Sequence, residues 1–453
     1  MRWSVVLVLL LFAGNTGLPV AAQQPDIIQE HWYHSWPTLT LDTTDWANNY
    51  PEIVSLRSAG TTVLGRDQWV VRISDWSMET KEDGTAKEKV YIDGGHHGNE
   101  HLGTELAFLV AEYYIEGWLA GDEEAIKVLQ TTELHIMIML NADGNDIDNR
   151  WNTNAVDLNR NYDHMWSTEE TRSGSGPFSE PETRNNADYM NDFVTEADLY
   201  VTMHTGTWIL AYPWGFTPEL PSDWELYNHI ADTIHEDIDA ELPVRNANAG
   251  IYPTHGTSRD YGYGVMGYPT FTFETDDEQF LPGTAQSLSD RLSVELEVMR
   301  YLIKEVWYWR ARLQVDSFEI SGDMIDLSVS NLGHASTANA TLQFIAPSGE
   351  VLWNSSNFAV NASNNTVLSF TGDLPPQGEG NWNLYYQVRV VDASRWVNES
   401  VDISPTEIPT EDDGFFLDGH GVFDPFTVII SVLCIALIER RSKGEQYVIE
   451  ERI

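Results

Sequence analysis

The chain of 453 residues carries 70 Asp and Glu against 25 Lys and Arg, a formal net charge of −45, and a single cysteine, Cys434. A surface of that sign repels nucleic acid and anionic membrane, most of its carboxylates being a solvated face. One cysteine excludes an internal disulfide framework, and the length gives room for two or three domains.

The chain begins with Arg2, an apolar core from Val5 to Ala13 and the small residues of "VAAQ". That pattern reads as a secretory signal peptide over residues 1–22, with an apolar core too short to span a membrane. Residues 26–313 read as one α/β unit, a mixed central β-sheet covered by helices. Its "LHIMIML" (Leu134 to Leu140) is a continuous apolar run, the mark of a central strand covered on both faces. "LYVTMH" and "TFTFE" read as further strands. "SEPETRNNADYMNDF" predicts a helix with Ser179 at the cap, Pro181 just inside, and Glu180 and Glu182 in the first turn.

Beyond it, residues 314–403 change to short alternating strands such as "MIDLSVSNLG", a small β-sandwich of immunoglobulin-like or transthyretin-like kind whose partner the sequence does not name. Five Asn-X-Ser/Thr sequons, at Asn339, Asn354, Asn361, Asn364 and Asn398, fall in this part and none in the α/β unit, as expected of a glycosylated stalk. Residues 404–424 form an acidic linker. Residues 425–441 are an apolar segment ending in basic residues, expected to act as a membrane anchor or sorting signal, and 442–453 a short tail. The apolar run Phe426 to Ile438 is shorter than the ~20 residues of a spanning helix. Together the two ends predict a protein outside the cell, held at the outer face of its membrane.

The chemistry gathers in "YIDGGHHGNEHLG". "HGNE" sets His97 and Glu100 three apart, where a tight turn can aim both at one ion. A catalytic zinc takes about three protein ligands and keeps a position for water. A third ligand must come from elsewhere, and "VTMHTGT" offers His204 at a strand end; by itself that residue reads equally as a satisfied core histidine. "DNRWNTNAVDLNRNYD" packs Arg150, Asn159 and Arg160 beside Asp157, a set suited to carboxylate binding and oxyanion stabilisation. His97, His204 and Glu274 each follow or end a predicted strand, and ligands of covered sheets collect at such ends.

In the order "HGNE", "NRW…VDLNRNYD", "GPFSEPET", "MHTGTWILAYPWG", "IYPTHGTSRDY" and "FTFE", the chain resembles the zinc carboxypeptidases of the carboxypeptidase A/B type, from about Glu30 to Leu313. The resemblance implies one zinc held by His97, Glu100 and His204, with Asp157 orienting the first histidine. It further implies that Asn159 and Arg160 grip the substrate's terminal carboxylate, that Arg150 polarises the scissile carbonyl, that Tyr252 closes the pocket and that Glu274 is the general base. Arg259 falls where the family places the residue at the base of the side-chain pocket, which implies a preference for acidic C-terminal residues on peptide or protein substrates.

Asn99 departs from the arginine of the digestive enzymes and matches the regulatory, N/E-type branch. No room for the family's long inhibitory prosegment is expected between Ala22 and Glu30. His96 and His101 have no family role and are expected beside the site or exposed. Two other classes stay open at this point: a cell-wall or isopeptide peptidase cutting γ-glutamyl or D-residue links on the same fold, and a catalytically silent surface binding module.

Overall fold

The computed structural model describes residues 33–275, 285–321, 324–345, 350–371, 387–392 and 400–403. All belong to the compact unit Met1–Glu407. The expected signal peptide, linker, apolar segment and tail, and the sequon at Asn398, lie outside the described residues.

Helix α1 (Trp36–Asn49) opens on Ser35, which exchanges side-chain and backbone bonds with Thr38, a reciprocal cap that satisfies two otherwise orphaned donors. Strands β1 (Val54–Thr61) and β2 (Asp67–Ile73) pair antiparallel, followed by β3 (Glu88–Gly94), α2 (His101–Ala120), α3 (Glu123–Thr131) and β4 (Thr132–Met137). The second half adds α4 (Pro181–Phe193), β5 (Leu199–His204), β6 (Trp208–Tyr212), α5 (Trp224–Asp237), β7 (Val244–Asn246), β8 (Thr270–Thr275) and α6 (Ala285–Lys304).

These strands form one mixed eight-stranded sheet in the order β1-β2-β4-β3-β5-β8-β6-β7. Every residue of β5 is buried, as a strand covered on both faces requires. Alternate residues feed two cores. Val90, Ile92, Val201 and Met203 face the core shared with α2 and α6, whereas Tyr91 and Tyr200 face the one packed on α4. The expected covered mixed sheet is therefore present, and β3, β5 and β8 run parallel as neighbours. Their C-terminal ends share one edge. Gly94 pairs with Met203 and His204 with Glu274, so three chain-distant segments reach the same place.

Two local expectations shift. The ladder of β4 stops at Met137, although the apolar run continues to Leu140. Beyond it the amides of Leu140 and Asn141 bond the carbonyls of Gly94 and Gly95, each at 2.9 Å, tying down the loop that carries the HGNE turn. Helix α4 is capped at Glu180, not Ser179; Ser179 Oγ instead accepts from Asn161 Nδ2 at 3.0 Å and donates to Glu180 Oε1 at 2.8 Å, fastening the preceding loop.

Strands β9 (Leu313–Ser321), β10 (Met324–Asn331), β11 (Thr337–Ile345), β12 (Val351–Asn354), β13 (Phe358–Val360), β14 (Asn365–Thr371), β15 (Gln387–Asp392) and β16 (Ser400–Ile403) make the following β domain. They form a β14-β10-β9 sheet and a second sheet in which β11 pairs β12, β13 and β15, and β15 pairs β16. Ile325, Leu327 and Val329 alternate inward. At the junction, Arg312 donates its backbone N–H to Asn331 Oδ1 at 2.9 Å and its Nη2 to Asp198 Oδ1 at 3.5 Å. Among the described residues no helix is long and apolar enough to cross a membrane.

Candidate metal centre and substrate cleft

At the shared strand edge, the turn after β3 and the end of β5 bring His97, Glu100 and His204 together, their ligand atoms all within 4.8 Å of one another. All three are buried. His97 Nδ1 lies 2.8 Å from Glu100 Oε1 and 3.2 Å from His204 Nδ1, which is itself 2.9 Å from Glu100 Oε2. Two imidazole nitrogens and a carboxylate converging on one point, out of water, call for a cation between them. Nitrogen, nitrogen and oxygen are the donors zinc takes at a catalytic site. The approach of α2 to β5 depends on Gly103, where a Cβ would sit 2.9 Å from the backbone nitrogen of His204.

Asp157 Oδ1 meets the other nitrogen of His97, Nε2, at 3.0 Å. Burial opposes a charge there, but His97, Arg150 and Arg160 outweigh it and hold the Asp157 carboxyl well below the usual range. Arg150 bridges the two anions, with Nη1 2.9 Å from Glu100 Oε1 and Nη2 3.1 Å from Asp157 Oδ2. Glu274, opposite His204 on β8, is pushed up to about 7, first by burial and then by the charge of Glu100. A carboxyl raised in this way suits proton transfer near neutral pH.

A cleft of about 310 Å³ opens over this centre, walled by His97, Glu100, Arg150, Asn159, Arg160, Tyr252, Arg259 and Glu274. His204 and Asp157 stand behind the wall. Tyr252 is half exposed at the mouth, at 51% of its free surface. Every residue expected to act is thus at one site.

Arg259 is more firmly built in than its sequence indicated. It is buried, donates from Nε to Asp260 Oδ1 at 3.0 Å and from Nη1 to Thr272 Oγ1 at 3.1 Å. Its Nη2 is buried and makes no hydrogen bond. Gly215 keeps that atom's space open, since a Cβ there would come within 2.2 Å of Nη2.

Three supporting residues escaped the sequence reading. Glu170 Oε2 accepts from Arg160 Nε at 3.3 Å, and Ser258 donates its backbone N–H to Asn159 Oδ1 at 3.0 Å. Thr272 was legible in principle, since it precedes Glu274 by two on β8 and so shares its face. Glu170 had no signal in so acidic a chain. His101 turns away to Asp148 Oδ1 at 2.9 Å; His96 is fully buried beneath the centre.

A family profile described as zinc carboxypeptidase matches residues 42–291. The chain belongs to the zinc carboxypeptidase family. Membership makes it a metallocarboxypeptidase and zinc its metal. The chain is similar to carboxypeptidase B of Astacus astacus, 24% identical over 273 residues, covering 54% of this chain and 86% of that one. It is 26% identical to human mast cell carboxypeptidase A, over 54% of this chain and 63% of that one, so this match spans just under two thirds of the human enzyme. The solved structure of thrombin activatable fibrinolysis inhibitor aligns with a TM-score of 0.54 at 23% identity, over 62% of this chain and 77% of that one, a likeness of fold.

Proposed function

We propose that this zinc carboxypeptidase is an exopeptidase that removes acidic residues from the free C-termini of peptides and proteins outside the cell. One observation carries the specificity: the buried, unpartnered Nη2 of Arg259 in the cleft. Asp260 does not cancel it, because that carboxylate is shared among Arg259 and the backbone N–H groups of Gly215 and Phe216. A terminal Glu or Asp side chain supplies the missing acceptor. A charge-assisted bond of this kind contributes about 1.5–3 kcal/mol, or roughly 10- to 150-fold in discrimination.

The remaining roles follow from position. Held by His97, Glu100 and His204, zinc supplies a Lewis acid and a water of lowered pKa. Glu274 takes the proton released as water attacks the last peptide bond, and returns it to the departing amine. The Arg150 guanidinium, beside Glu100, stabilises the negative charge that grows on the scissile carbonyl oxygen. Arg160 and the Asn159 amide bind the substrate's terminal carboxylate, and Tyr252 closes the mouth. All the predicted catalytic groups are present, which disfavours a silent binding module.

Digestion of a peptide followed by mass spectrometry tests this reading. Residues should leave one at a time from the C-terminus; internal cuts would overturn the exopeptidase reading, and turnover restricted to γ-glutamyl or D-residue links would replace it with the wall-peptidase alternative.

The reading also places the enzyme at the outer cell surface, through the signal-like residues 1–22 and the apolar segment 425–441, with the β domain as spacer. The exposed sequons Asn339, Asn354, Asn361 and Asn364 support sugar attachment on that spacer. Truncation before Pro405 should release active soluble enzyme, whereas a truncated protein still bound to cells would remove the anchoring role of the tail.

A further inference from the structure

His96 is the histidine of "GGHHGNE" that the metal centre leaves unused, yet its ring is fully buried. It lies against the ring of His204, with centroids 5.4 Å apart and planes at 24°. Asp93, Tyr162, Asn186 and Thr202 around it are fully buried as well. A buried polar cluster of this kind is stable only when its members satisfy one another.

The partners fix the tautomer of His96. Asp93 Oδ2 accepts from Asn186 Nδ2 at 2.9 Å and from the Tyr200 hydroxyl at 2.7 Å, which orients the Asn186 amide nitrogen toward the carboxylate. The same nitrogen donates to the Tyr162 oxygen at 2.7 Å. The Tyr162 O–H is then left to donate to His96 Nε2, 2.8 Å away. His96 therefore carries its proton on Nδ1, which faces Thr202 Oγ1 at 3.3 Å and Asp93 Oδ1 at 3.4 Å.

Thr202 connects this cluster to the metal centre. Its Oγ1 lies 3.3 Å from both His204 Nε2 and His96 Nδ1, and His96 Nδ1 in turn lies 3.4 Å from Asp93 Oδ1. His204 turns Nδ1 toward Glu100 and His97; with zinc on that nitrogen, Nε2 would bear the hydrogen, and of its two neighbours at 3.3 Å, Thr202 Oγ1 and Asn159 Nδ2, only the hydroxyl oxygen can accept it. We propose that His96, Thr202 and Asp93 form a positioning set for His204, serving through one hydroxyl the purpose Asp157 serves directly for His97. His96 supports the hydroxyl from the side and packs the His204 ring in place. It touches neither substrate nor metal. The inference rests on the zinc site and is independent of the choice of peptide.

Loss of a partner to a metal-ligating histidine costs about 10- to 100-fold in metal affinity. The full-length chain is titrated with zinc against a competing chelator, and the cobalt(II)-loaded protein is examined by visible absorption. Thr202→Val keeps the volume and removes the hydroxyl; Thr202→Ser restores it; His96→Leu removes both ring hydrogen bonds. Thr202→Val and His96→Leu are expected to weaken zinc binding by about tenfold or more and to shift the cobalt spectrum, with Thr202→Ser close to wild type. Their double variant should lose less than the two single losses combined, as members of one network do. Wild-type affinity and an unchanged cobalt spectrum in Thr202→Val would overturn the proposal. So would a loss in Thr202→Ser equal to that in Thr202→Val, which would mark packing as the cause. Melting of the metal-free variants is recorded alongside, and the threonine pair decides the matter if His96→Leu does not fold.

Discussion

Asp157 Oδ1 lies 3.0 Å from Nε2 of His97, so that the ring's remaining nitrogen is turned toward Glu100 and His204. The carboxylate thereby fixes the tautomer in which Nδ1 is free to bind metal. Asp157→Asn keeps the shape and removes the charge, and it also strips Arg150 of one ion-pair partner. Zinc affinity should fall about 10- to 100-fold in a chelator competition, with a further loss in kcat at saturating zinc. Unchanged affinity would mean that the tautomer is set elsewhere.

Glu274 allows a prediction with a definite sign. Burial, then the charge of Glu100, pushes its pKa up to about 7, and a zinc dication nearby would draw it back down. A general base works deprotonated, so kcat/KM should fall as pH drops below this pKa, about tenfold per unit. Glu274→Gln should still bind zinc, lose roughly 10²- to 10⁴-fold in kcat and show no such acidic limb. A variant with a tenth of the wild-type rate and the same limb would place the base on another residue.

Glu112, on α2, affects stability rather than catalysis. Burial first, and the charge of Glu116 second, raise its pKa from 4.5 to about 7, and its Oε2 is buried without a hydrogen bond. Because the folded-state pKa lies above the unfolded one, the folded protein holds this proton more tightly. The contribution is fully present below pH 4.5 and is lost as pH rises from there to about 7. Glu112→Gln is neutral at every pH. Discounted for partial exposure, it should stabilise the protein by about 1–2 kcal/mol at pH 8, a few degrees in Tm, and leave pH 4.5 nearly unchanged. Calorimetry at the two pH values checks it; equal shifts at both would show that charge is not the cause.

What the sequence revealed and what it hid separate along physical lines. His97 and Glu100 were readable because one short turn carries both. His204 and Glu274 were readable because each closes an apolar strand, and parallel neighbours end at the same edge. The sheet itself followed from runs such as "LYVTMH". The end of β4 was not readable, since apolar content alone does not tell a laddered residue from one that bonds the adjacent loop, as Leu140 does. Nor was the place of His96, whose partners Asp93, Tyr162 and Thr202 come from three separate segments. Glu170 reached Arg160 only through the folding of a long loop.

The acid-selective exopeptidase reading is tested most directly by kcat/KM on peptides identical except at the last residue, ending in Glu, Leu or Lys, with the Glu peptide also supplied as its C-terminal amide. The free acid ending in Glu should be cleaved about 10- to 150-fold faster than the one ending in Leu. The amide should be nearly inert, because Arg160 has no carboxylate to bind, and Arg259→Asp should shift the preference to Lys. Equal rates for Glu, Leu and Lys, together with cleavage of the amide as fast as the acid, would contradict both the pocket and the exopeptidase assignment.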